Sequence, residues 1–103
     1  MMRSPLYAVD LFIEATYKND VAGVEYALSL LGSVDAEPKV LRVIVQSHTV
    51  LMHEAERQLA YVDAQLITAT TKYAHDILVI RHDSLVFERN MWKTLVDHVA
   101  TLL

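Results

Sequence analysis

LRVIVQSHTVLMHEAERQLAYVDAQLITATTKYAHDILVI, residues 41–80, is the stretch on which the fold turns. Seven-residue steps from Leu41 pick out His48, Ala55, Val62, Ala69 and Asp76. Four residues after each member of that row stand Val45, Met52, Leu59, Leu66, Tyr73 and Ile80. The second row is apolar throughout, while the first mixes small residues with two polar ones. Apolar residues at this period mark a helix that lays one seam against a neighbour. The spacing predicts a long amphipathic helix over 39–81, with Val45, Met52, Leu59, Leu66 and Tyr73 as a dimer seam.

Length then restricts how such a helix is covered. Residues 36–80 as one helix would run about 68 Å, whereas a compact chain of this size has a radius of gyration of about 13 Å. The helix must therefore bend, or a second copy must hide its seam. Thr68-Ala-Thr-Thr71 is the natural bend, because branched Cβ atoms and competing hydroxyls lower helix propensity. Ser47-His48-Thr49 is a weaker one. Since the seam outruns the short helices elsewhere, a homodimer is expected, two-fold pairing being the commonest closure.

Toward the N-terminus, Ser4 caps and Pro5 opens a helix whose stripe is Leu6, Val9, Phe12, Ile13 and Thr16. Asn19-Asp20 reads as a break followed by a new cap. Val21, Val24, Ala27, Leu28 and Leu31 form the next stripe, and Gly32 is placed where a left-handed terminating residue is wanted. Residues 1–32 thus read as a short helical hairpin, and 33–38 as a linker. Within that linker Asp35 suits a cap, Glu37 faces the positive end of the next helix, and Pro38 falls in its permissive first turn. Ser4-Pro5-Leu6-Tyr7-Ala8 resembles the Thr-Pro-Leu-His-x-Ala opening of an ankyrin repeat, and residues 19–32 resemble its second half. The two pieces stand too far apart, and no further copy follows at the repeat period, so no ankyrin fold is expected.

Toward the C-terminus, Ile77–Ile80 and Leu85–Glu88 flank the polar quartet Arg81-His-Asp-Ser84. This reads either as a β-hairpin or as a helix end followed by a new cap at Asp83 or Ser84. Two strands alone are barely stable, and the only other candidate is Val40–Val45, so the helical reading is preferred. Leu85, Trp92, Leu95, Val96, Val99 and Leu102 then line a last helix over 84–103, docked to its end. The expected fold is all-α: a short hairpin, a long central helix bent near 68–71, and a C-terminal helix packed back on it, in one domain spanning 1–103.

Composition narrows the function classes. The chain has 103 residues, 53% of them hydrophobic, with two glycines, two prolines and no cysteine. That density of aliphatic side chains argues against disorder, and without thiols there is no disulfide scaffold, thiolate zinc site or cysteine nucleophile. Nine cationic and thirteen acidic residues give a net charge of −4, and the cations are dispersed among acids. No nucleic acid is expected as a partner, because phosphate binders gather cations on one face. Asp10 and Glu14 interrupt what would have to be the core of a secretory signal, and no window is apolar enough for a membrane span. A cytoplasmic protein without a membrane partner is the expectation.

Motifs for catalysis or cofactors are missing. His48 and Met52 share one helix face and His53 and Glu56 another, yet neither Glu-x-x-His nor His-Glu-x-x-His occurs. Asp10 and Glu14, and Glu54 with Arg57 and Gln58, read as solvated helix faces. Glycine only at 23 and 32 leaves no phosphate-cradling loop and no nucleophile turn. The distinctive remainder is aromatic: Tyr7, Tyr17, Tyr26, Tyr61, Tyr73 and Trp92, a residue set enriched at interface hot spots. Tyr7, Tyr17, Tyr61 and Trp92 are the expected partner surface. The expected function is a non-enzymatic adaptor, regulator or inhibitor that binds another protein, with no cofactor. The alternative is a bundle holding a metal or small ligand through His48, Met52 and His53.

Overall fold

The computed structural model describes residues 5–33 and 37–103, apart from the side chain of Ser33. Among the described residues the chain is all-α: α1 (Pro5–Tyr17), α2 (Val21–Ser33), α3 (Pro38–Thr68) and α4 (Lys72–Thr101). Ser4 and Asp35, the expected caps of α1 and α3, lie outside the described residues.

Local chemistry sets each reversal. Asn19 closes α1 in the left-handed region at φ 56°, where its short polar side chain is tolerated better than most. Its N–H donates to the Thr16 carbonyl (3.1 Å) and that of Asp20 donates to Ala15 (2.9 Å), the paired closure that satisfies the last carbonyls of a helix. Asp20 then starts α2, its carboxylate accepting from the Gly23 N–H at 3.0 Å. A glycine is needed at 23 because a Cβ there would stand 3.0 Å from that of Ala15 and 2.5 Å from the Asp20 carboxylate. Two adjacent residues thus end one helix and cap the next, and α1 and α2 fold into the expected short hairpin. Gly32 departs from expectation: no glycine among the described residues has positive φ, and α2 continues through it to Ser33.

At 69–71 the chain reverses completely instead of bending. Ala69 and Thr71 take extended backbone (φ −64°, ψ 123° and φ −114°, ψ 150°), and the Thr71 hydroxyl accepts from the Ala74 N–H at 3.1 Å. Thr71→Ala is expected to cost about 1 kcal/mol, the usual value of such a cap, read as a shift in the urea midpoint. The expected long helix over 39–81 is therefore two antiparallel helices, and α4 runs unbroken through 77–88, which is neither a hairpin nor a helix boundary. Arg81-His-Asp-Ser84 does not turn the chain, and two of its polar groups reach α3. His82 Nε2 lies 3.2 Å from the Asp63 carboxylate, and Arg81 donates to the Gln58 side chain at 3.4 Å.

Folding back also decides which heptad row is buried. Leu41, Ala55 and Val62, of the mixed row, are 6%, 4% and 0% exposed: Leu41 enters the core shared with α1 and α2, and the smaller Ala55 and Val62 let α3 and α4 approach. The purely apolar row stands about 40° further round. Val45, Met52, Leu59 and Leu66 are only half-buried there, and Tyr73 is exposed on α4.

One end of this long hairpin carries the main core. Ala8, Val9 and Phe12 of α1, Ala27 and Leu31 of α2, Leu41 and Ile44 of α3, and Met91, Leu95 and Val99 of α4 form a single buried cluster. Leu6 and Val21, expected in the stripes of the short hairpin, are exposed instead. His98 fastens the layer, its Nε2 lying 2.9 Å from the Leu28 carbonyl. Since a carbonyl only accepts, that nitrogen carries the proton. The molecule measures 56 × 25 × 17 Å with a radius of gyration of 16.4 Å, longer than the about 13 Å of a compact chain this size. The excess is the far half of α3 and α4, which projects beyond α1 and α2.

Candidate protein interface

Helices of 13 residues reach about 20 Å, and those of 30 about 45 Å, so the α1–α2 layer covers only half of the long hairpin. The α4 face beneath it continues past the end of that layer. Met91 and Leu95 on this face are buried in the core, and His98 meets α2. The same three- and four-residue steps run on to Phe87, Ser84, Ile80, Ile77 and Tyr73, all exposed. Tyr73 is 79% exposed and Ile80 66%, and with Ile77 between them they form a contiguous apolar stripe in the open. The boundary is marked by Tyr17 at the end of α1, whose ring lies 5.3 Å from that of Phe87 at a tilt of 47°.

α3 forms the other wall. A cleft of about 490 Å³ lies between Gln58 and the α4 residues Ile77, Ile80, Arg81, Ser84 and Glu88. Tyr61, one turn beyond Gln58 and 65% exposed, stands on the same side of α3. Glu54 accepts from Arg57 at 2.5 Å and from Gln58 at 3.0 Å. These two donors, Arg57 first, hold its carboxyl below the ordinary glutamate range. The cleft thus sets the polar groups of Gln58, Arg81, Ser84 and Glu88 beside the apolar Ile77, Ile80 and Leu85.

The four aromatic residues expected to share a partner surface do not lie together. Tyr7 is exposed on α1, Tyr17 caps the step beside Phe87, and Tyr61 flanks the cleft. Trp92 is half-buried, its ring 5.2 Å from that of His48 and tilted by 49°. Of the expected seam, Val45 packs against the core and Tyr73 alone joins the bare α4 stripe. What the heptad count missed is that stripe itself. Its signal is present in the sequence as the spacing 73, 77, 80, 84, 87, masked by the polar quartet 81–84, which reads as a boundary.

His48, Met52 and His53 do not converge. The His48 Nδ1 lies 2.7 Å from the Ile44 carbonyl, so that nitrogen is occupied, and His53 is exposed. Among the described residues no three His, Cys, Asp or Glu side chains group closely enough to hold a metal ion, and no helix is long and apolar enough to cross a membrane. No protein-family model, no curated protein and no solved structure matches the chain.

Proposed function

We propose that this chain is a small, non-enzymatic, cytoplasmic interaction module, an adaptor, regulator or inhibitor of another protein, that acts as a homodimer. The observation that carries this reading is the projecting half of α3 and α4, where Tyr73, Ile77 and Ile80 stand exposed along one face of α4. Ala55, Val62 and Leu85 bury the contact between α3 and α4 in this half, while its outer apolar face stays open, the kind of surface a partner would cover. Exposed tyrosines suit such a role because they bring large apolar area at little cost in side-chain entropy.

Light scattering during size-exclusion chromatography tests the homodimer directly. A particle of about 23 kDa is expected, twice the 11.7 kDa of the chain. A mass near 12 kDa that persists as concentration rises to several hundred micromolar would remove the homodimer from the reading.

A further inference from the structure

We infer that the bare face of α3 and α4 is closed by the same face of a second copy, packed antiparallel about a two-fold axis that passes beside Ile80 and Tyr61. This rests on the homodimer reading and relocates its interface, away from the half-buried row Val45, Met52, Leu59 and Leu66 and onto the cleft side.

Continuity is the first support. The α4 stripe that α1 and α2 cover in one half is one uninterrupted helical face, so what completes it should again be a layer of two helices. The distal half of another α3–α4 hairpin is such a layer. Size is the second. The bare stretch is about 25 Å long and two helix diameters, about 20 Å, across, so two copies bury on the order of 1,000 Å² in plan, where specific interfaces begin. Register is the third. Residues 73 and 87 are equidistant from Ile80, so antiparallel α4 helices bring Tyr73 of one copy toward Phe87 of the other. They likewise bring Ile77 near the small Ser84. The Arg81–Gln58 and His82–Asp63 contacts put Tyr61 of α3 at about the level of Ile80, so both residues approach their own counterparts near the axis. Shape is the fourth, since in this arrangement the tip of each hairpin stops where the partner's α1–α2 layer begins. The bare length of one copy is then filled by the bare length of the other.

The test uses single cysteines in a chain that has none, together with one charge substitution. Ile80→Cys and Tyr61→Cys are expected to form an interchain disulfide under mild oxidation, at least about tenfold faster than Ile67→Cys or Leu59→Cys, which stand off this face. Ile80→Glu places two carboxylates against each other at the axis and is expected to weaken dimerisation at least about a hundredfold. Because Ile80 is exposed in the single chain, the helical circular dichroism should be unchanged, which separates dissociation from unfolding. A dimer that survives Ile80→Glu, or that cross-links through Leu59→Cys and not Ile80→Cys, overturns this interface while leaving the homodimer standing. A wild-type chain that stays at 12 kDa overturns both.

Discussion

Phe12→Ala should lower the free energy of unfolding by about 3–5 kcal/mol, the range for removing a buried aromatic ring. Phe12 is 1% exposed and belongs to the cluster that joins α1 to Leu31 of α2 and to Met91 and Leu95 of α4. It is the largest of the fully buried side chains among the described residues, so its removal leaves the largest void. For a domain whose total stability is of the order of 5–15 kcal/mol, the loss takes a large share of the whole. Urea unfolding followed by circular dichroism measures it. A loss below 1 kcal/mol would mean that the short hairpin is not docked on the long one.

The second large effect comes from a pair of prolines that separates two readings of the chain. Asp83 is exposed, so losing its side chain costs little, yet it stands in the interior of α4. Asp83→Pro deletes the bond from its N–H and drives the ring into the carbonyl one turn back, a loss of about 3 kcal/mol or more. Lys72→Pro falls at the first position of the same helix, where the N–H has no partner within it, and the preceding Thr71 is already extended. That change should leave stability within about 1 kcal/mol of the parent. Thermal unfolding of the two variants gives the comparison. Equal melting temperatures would mean that the helix is interrupted at 81–84 after all.

Much of the architecture could be read from residues alone, for reasons that are local. Asn19-Asp20 supplies both a left-handed stop and a carboxylate cap, chemistry that acts over a few residues whatever surrounds it. Thr68-Ala-Thr-Thr71 likewise announces an interruption. Propensity, however, cannot say whether a weak point bends a helix or reverses it, since that depends on which partner surface is nearest in three dimensions. The polar quartet at 81–84 misled for the same reason. Its residues look like a turn until Gln58 and Asp63 are seen to meet them across the hairpin. The division between the two rows of α3 has a related cause. A heptad count ranks rows by hydrophobicity, whereas close helix packing rewards small side chains, and Ala55 and Val62 went to the interface ahead of Leu59 and Leu66. The candidate site was the least legible part, because an apolar stripe looks the same in sequence whether its own chain covers it or not.

Covering the long hairpin at one end only makes it a cantilever. Near Leu95 and Ile44 the hairpin shares one buried cluster with α1 and α2, and opening there means dismantling that cluster. Toward Ala69 the grip dwindles to a single helix-to-helix contact, so the free energy needed to fray the backbone declines with distance from the anchor. The segment we propose for docking is thus also the one most cheaply reshaped, and a partner seated there would adjust it without disturbing the base.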